Sequence, residues 1–179
     1  MRITAGGNRG RTIRVPDIEG LRPTPSRVRE ALFNILGDIE GLSFLDLFSG
    51  SGIMALEALS RGASHAISLE YDRQATRAMQ TIQHDWAIKD WLIQTVPLPN
   101  GLPNNAYFDV IYADPPYGQG LAELIPLWLS EHQITYSSLI IEEASRNVLH
   151  WKQGFTPIQS RKYSETTLYF FQPDIEVAV

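Results

Sequence analysis

Two short stretches of this chain bring together residue types that can do chemistry. Asp114-Pro115-Pro116-Tyr117 follows directly on an apolar run, Phe108 to Ala113, that reads as a buried strand. Asp114 can accept one N–H of an exocyclic amine, and the carbonyl of Pro115 can accept the other. Pro115 and Pro116 fix φ, so that carbonyl is held in place before any substrate arrives. Tyr117 offers a flat face to a planar base taken out of its stack. An amine on such a base is a poor nucleophile, because its lone pair is delocalised into the ring. Alignment against an already reactive donor would then supply most of the acceleration, and no protein nucleophile is required.

The second stretch is Leu45-Asp46-Leu47-Phe48-Ser49-Gly50-Ser51-Gly52, a strand running into a glycine turn. Glycines at 50 and 52 let the backbone turn sharply and approach a ligand that a Cβ would block. The helix expected next points its N-terminal amides at that ligand. Glu70 ends the following strand, eighteen residues beyond Gly52, where a carboxylate can accept both ribose hydroxyls of an adenosine moiety. Asp46 can lie near the amino-acid end of such a cofactor and partner its ammonium. The same run, Gly50-Ser51-Gly52-Ile53-Met54-Ala55 with Glu70, also fits the dinucleotide fingerprint, so this turn alone leaves a nicotinamide enzyme open. Asp46 and the Asp-Pro-Pro-Tyr corner favour S-adenosylmethionine. Together the two motifs imply methyl transfer to the exocyclic amine of a nucleic-acid base.

The elements that must position these residues follow from periodicity. From residue 42 the pattern alternates strand and helix. Strands are expected at 44–48, 66–70, 92–96, 108–113 and 139–142, and helices at 52–61, 73–86 and 120–131, the last kinked at Pro126. That alternation implies a parallel sheet with helices on both faces. The tail differs, with strands at 156–163 and 167–171 joined through Ser164-Glu165 as a hairpin. Ahead of residue 42, Arg2-Ile3-Thr4 and Thr12-Ile13-Arg14-Val15 flank the turn 6–10 as a small hairpin. A helix follows, capped by Thr24 or Ser26, with Pro25 in its first turn and Val28, Ala31, Leu32, Ile35 and Leu36 as its apolar stripe. Arg27 and Arg29 lie off that stripe and are expected to face a partner. Residues 1–40 read as an Arg-rich extension and 41–179 as the catalytic domain.

With 179 residues and 44% hydrophobic content, the chain is long and apolar enough for a packed core. No apolar run approaches the roughly 20 residues of a membrane span, and no signal-peptide core is seen. The absence of cysteine excludes disulfides and thiolate metal sites and is compatible with a reducing cytoplasm. His65, His84, His132 and His150 show no ligand spacing, so no metal is expected. Net charge is −5 but unevenly spread. Residues 1–36 hold seven arginines against three acids, net +4, and the other 143 hold eight basic and seventeen acidic residues, net −9. Arginine's planar fork suits phosphate and guanine edges, so Arg2, Arg9, Arg11, Arg22, Arg27 and Arg29 are candidate RNA contacts.

Arg22-Pro23-Thr24, the run Arg27 to Leu36, the turn 45–52 continuing through Leu56 to Ala63, and Asp114 to Tyr117 closely resemble the RsmD family of bacterial 16S rRNA guanine-N2 methyltransferases. Arg9-Gly10-Arg11 and the tail from Tyr163 to Phe171 extend the resemblance over nearly the whole chain. It implies a Rossmann-like class I S-adenosylmethionine-dependent fold, α/β, with a seven-stranded mostly parallel sheet, a C-terminal antiparallel hairpin and a small N-terminal hairpin-and-helix extension. It implies cofactor binding by Asp46, Phe48, Gly50, Ser51, Gly52 and Glu70, amine binding by Asp114 and Pro115 with Pro116 in the same corner, and base stacking by Tyr117. It implies transfer to one guanine N2 of 16S rRNA within the small subunit or an assembly intermediate. Separately, the chain is expected to be cytoplasmic and monomeric. Family members commonly carry an Asn late in the second helix and an acid after the third strand. Here those places read Gln83-His84-Asp85-Trp86 and Thr95 to Asn100, so the adenine-edge contact is expected from backbone or Asn, beside an irregular 97–103 loop. Two alternatives stand beside this reading: a non-catalytic RNA-binding or ribosome-assembly module on the same fold, and an adenine-N6 methyltransferase.

Overall fold

Alternating apolar runs and amphipathic stretches from residue 43 onward fold as alternating strands and helices. A computed structural model describes residues 1–14, 18 and 24–173. Arg22 and Pro23 therefore lie outside the described residues, as do Val15 and the end of the chain from 174. The chain divides into two compact units, Met1–Gly101 and Leu102–Val179.

In the first unit, the helix α1 spans Ser26–Leu36. Neither Thr24 nor Ser26 caps it: Pro25 is the N-cap, without a side-chain hydrogen bond, and its carbonyl accepts from the amides of Val28 and Arg29. The strand β1 (Ser43–Leu47) is buried at every position, as expected of a strand covered on both faces. It leads through the glycine turn to α2 (Ile53–Ser60), then β2 (His65–Glu70), α3 (Arg73–Asp85) and β3 (Trp91–Thr95). The three strands run parallel, β2 pairing with both β1 and β3. Asp72 caps α3, accepting from the amides of Gln74 and Ala75 at 2.7 and 2.8 Å.

The expected N-terminal hairpin is reduced to one bridge, Arg2 with Thr12, and a few flanking bonds such as Ile3 N–H to the Arg11 carbonyl at 2.9 Å. Two strands so short cannot stand alone, and α2 supplies their support. Glu57, fully buried on α2, accepts from the amides of Thr4 (3.0 Å) and Ala5 (3.1 Å), from the Thr4 hydroxyl, and from Arg61 Nε (3.0 Å). Ser60 accepts from Asn8 N–H and donates to the Ala5 carbonyl. Gly6 passes so close that a Cβ there would fall 1.6 Å from the Ser60 carbonyl oxygen, which only glycine permits.

The second unit begins with β4 (Tyr107–Ala113), parallel to β5 (Thr135–Ala144). β5 then pairs antiparallel with β7 (Thr166–Phe171), which pairs antiparallel with β6 (Gln159–Tyr163) as the expected terminal hairpin. β5 is ten residues long, well beyond the four expected at 139–142, because its polar first half still pairs with β4. The helix foreseen at 120–131 is a 3-10 turn, Ala122–Leu124, followed by α4, Ile125–Glu131. Pro126 sits in the first turn of α4, where its missing N–H costs nothing, so it starts a helix and does not kink one. No helix among the described residues is long and apolar enough to cross a membrane.

Candidate active site

In the first unit, β1 delivers Asp46 to the mouth of the turn and the chain reverses through Phe48 (φ 60°), Gly50 (φ 53°) and Gly52 (φ 72°). A left-handed phenylalanine is uncommon backbone and marks a turn held by its surroundings. Ser49 holds it in part, its hydroxyl donating to the Asp46 carbonyl at 2.7 Å. Glu70, at the end of β2, accepts from the Gly50 amide at 2.7 Å through one oxygen and from the Asp72 amide at 2.8 Å through the other. The turn and the distal acid, linked in sequence only by spacing, are thus in direct contact.

Asp46 is 1% exposed, and its Oδ2 has no hydrogen-bond partner among the described residues. Burial pushes its carboxyl up to about 8; the Ala55 amide and the Ser49 hydroxyl pull the other way without compensating, and the charge of Glu70 adds to the rise. A buried, unpaired carboxyl oxygen beside a positive-φ turn fits a ligand carrying an ammonium. Gly52 has a different reason from the one its spacing suggests. A Cβ there would lie 2.7 Å from both Met79 Sδ and Trp91 Cζ2, so this glycine permits close packing of the turn on α3 and β3. Ser51 is buried beside it.

The 83–100 region is organised by its own contacts. The Gln83 side chain donates to the Trp91 carbonyl, and Thr95 donates to Thr76 at 2.9 Å. The irregular loop after β3 is a turn in which the Gly101 amide reaches the Pro97 carbonyl at 2.9 Å. Asn100 is exposed on it.

In the second unit, Asp114 to Tyr117 leave the C-terminal end of β4. Pro115 is buried, Pro116 exposed, and Asp114 and Tyr117 are half-buried. The Tyr117 hydroxyl donates to Glu142 Oε1 at 2.9 Å. Burial, before the charges of Asp114 and Glu142, raises its pKa above the ordinary phenol range, so the phenol stays neutral. Glu142 is itself raised, by burial first, while the Tyr112, Tyr117 and Thr166 hydroxyls oppose the rise. Sequence reasoning missed Glu142 and Glu143. The available signal was two adjacent acids closing the apolar run Leu139-Ile140-Ile141, at the strand edge where α/β sheets bind ligands.

Among the arginines, Arg2, Arg9, Arg11, Arg14 and Arg27 are exposed. Arg11 stacks 3.9 Å above the Trp86 ring and donates to Asn8. Arg29 does not face a partner. It is 1% exposed, donates to the carbonyls of Thr24 (2.6 Å) and Arg2 (2.7 Å), and lies 3.9 Å from Glu57. The correction has a simple cause: Arg29 falls next to Val28 on the helix, and a buried acid on α2 waits for it.

A glycine turn feeding a helix, an acid closing the next strand and an Asp-Pro-Pro-Tyr corner after a later one define an α/β protein of the Rossmann-like methyltransferase class, with a seven-stranded mixed sheet. The family model described as conserved hypothetical protein 95 matches residues 1–172, and the chain belongs to that family. Ribosomal RNA small subunit methyltransferase D of Escherichia coli (strain K12) is 38% identical over 156 residues, spanning 79% of this chain and 76% of that protein, as the RsmD resemblance implied. The solved structure of the E. coli protein yhhF has a TM-score of 0.84 at 28% identity, covering 96% of this chain and 97% of that one. An RNA methyltransferase from Salinibacter ruber, solved in complex with S-adenosyl-L-homocysteine, shares the fold at a TM-score of 0.64 and 17% identity, over 84% and 93% of the two chains.

Proposed function

We propose that this chain transfers a methyl group from S-adenosylmethionine to the exocyclic N2 of one guanine in 16S rRNA, within the small ribosomal subunit or an intermediate of its assembly. The observation that carries the reading is the Asp114–Tyr117 corner at the end of β4, with its tyrosine anchored, in a chain 38% identical to a small-subunit rRNA methyltransferase. The bound cofactor supplies an electrophilic methyl on a sulfonium. Asp46 receives the cofactor's ammonium on its orphaned oxygen, and Glu70 takes the ribose hydroxyls while it braces Gly50. Phe48, Ser51 and Gly52 shape the turn around the cofactor. The adenine edge is met by backbone or by Asn100 on the loop after β3. In the second unit, Asp114 and the Pro115 carbonyl accept the two amine hydrogens and orient the nitrogen lone pair, Pro116 stiffens the corner, and Tyr117 stacks on the base. Arg2, Arg9, Arg11 and Arg27 meet RNA phosphates; Arg22 belongs to the same group by sequence.

Incubation with labelled S-adenosylmethionine and unmodified small subunits, with naked rRNA and duplex DNA in parallel, tests this. Nucleoside analysis should place the label in N2-methylguanosine. Label in N6-methyladenosine would keep the corner chemistry and overturn the target. No transfer and no cofactor binding would leave an RNA-binding assembly module.

A further inference from the structure

The corner at the end of β4 is held by two consecutive carboxylates that the reaction does not consume. Glu142 and Glu143 close β5, and each is 1% exposed. Register pairs Ala113 with Ile141, so the residue after Ile141 stands level with the start of the Asp-Pro-Pro-Tyr corner. Glu142 Oε1 accepts from the Tyr117 hydroxyl at 2.9 Å, and its Oε2 accepts from the Tyr112 hydroxyl. Thr166 on β7 adds a contact of 3.5 Å to the Tyr117 hydroxyl. Glu143 Oε2 accepts from the Gly118 amide at 3.4 Å, directly behind Tyr117 in the chain. Its Oε1 is held by the Ala144 amide (2.7 Å) and by Asn147 Nδ2 (2.9 Å). Successive residues of a strand project to opposite faces, yet both carboxylates converge on residues 117 and 118.

A buried carboxylate is costly unless every oxygen finds a donor. Core packing alone would be served as well by a leucine. The arrangement fixes one thing an apolar residue could not: the far end of the Tyr117 ring. With its Cβ fixed by the Pro116–Gly118 backbone and its hydroxyl held at Glu142, the long axis of the ring is fixed and the ring cannot swing out of the corner.

We propose that Glu142 is a positioning residue for the methyl transfer: by holding the Tyr117 hydroxyl it fixes the long axis of the ring on which the target base stacks and keeps that ring in the corner, while Glu143 fixes the backbone behind it. This rests on the methyltransferase reading above. Pre-setting a stacking face acts on the geometry of the reacting amine, so loss of the anchor should appear in kcat and leave cofactor binding intact.

The test compares wild type, Tyr117→Phe, Glu142→Met, Glu142→Gln and the Tyr117→Phe/Glu142→Met double variant on small subunits, with cofactor affinity read separately by calorimetry. Tyr117→Phe keeps the stacking ring and removes only its tether, and should lower kcat about tenfold. Glu142→Met, which also releases the Tyr112 hydroxyl, should do the same, and the double variant should be no slower than Glu142→Met, because all three variants lose the same Tyr117–Glu142 bond. Glu142→Gln retains an acceptor and should stay within about twofold of wild type. Cofactor dissociation constants should not move. If Glu142→Met fails to fold, Tyr117→Phe alone decides. Wild-type turnover in Tyr117→Phe, or losses that multiply in the double variant, would overturn the positioning role while leaving the methyltransferase reading in place. A wild-type protein that methylates no base in any RNA would overturn that reading and the positioning role with it.

Discussion

Asp46 carries the main energetic tension at the scale of single residues. Its carboxyl titrates at about 8 in the folded chain, against about 4 in an unfolded one. Between those values the folded state holds a proton that the unfolded state has lost. Stability therefore falls as pH rises from about 4 to about 8, by about 1.4 kcal/mol per unit if Asp46 alone is counted. Asp46→Asn removes that slope, and the variant should be more stable than wild type at pH 7 in chemical denaturation without cofactor. An ammonium beside Oδ2 favours the ionised form, so binding S-adenosylmethionine at pH 6.5–7 should expel a proton. Calorimetry in buffers of different ionisation heat reads this directly. Wild type should release close to one proton and Asp46→Asn none, with at least tenfold weaker binding. Binding without proton release would mean that the ammonium is met elsewhere. The position of Asp46, one residue into the turn motif, was legible in the sequence. Its protonation was not, because burial depends on what α2 and β2 bring over it.

At the scale of elements, periodicity located β1 to β4, α1 to α3 and the C-terminal hairpin to within a residue or two at most ends, since each carries its own apolar rhythm. The misreadings lie where tertiary pairing overrides local pattern. The polar half of β5 is a strand because β4 pairs with it; Pro126, by contrast, is a local misreading, since it lies in the first turn of α4 after a 3-10 turn. Arg29 is expected from the sequence to face a partner, and nothing in the sequence pattern singles out Glu57 on α2. Together they clamp the N-terminal segment: Glu57 holds Thr4, Ala5 and Arg61, while Arg29 holds the Arg2 and Thr24 carbonyls. Glu57→Gln leaves two guanidinium groups partly uncompensated and turns an N–H toward donors. We expect a loss of about 3 kcal/mol in urea unfolding, with faster hydrogen exchange at the Thr4 and Ala5 amides. Arg27→Ala, on the exposed face of α1, should stay within about 0.5 kcal/mol of wild type. Equal costs for the two changes would mean the clamp adds nothing beyond surface charge.

For the whole molecule, the charge partition decides how a protein of net charge −5 can approach a polyanion. The first 36 residues are net +4 and the remainder net −9, so long-range repulsion and short-range attraction come from different parts of the sequence. Arg29 is committed to the Glu57 clamp, which removes it from the phosphate-binding set. Arg2, Arg9, Arg11 and Arg27 are exposed, and the stack of Arg11 on Trp86 steadies its head without burying it. Each phosphate neutralised releases condensed counterions, contributing about 0.7–0.9 to the slope of log K against log salt. Replacing Arg9, Arg11 and Arg27 with Ala should therefore reduce that slope for small-subunit RNA by about 2–3, leaving cofactor affinity unchanged. Because the acidic remainder is untouched, weaker binding at low salt should shrink toward parity with wild type as salt rises and screening grows. A uniform loss at every salt concentration would point to distorted structure. An unchanged slope would mean that these three arginines meet no phosphate.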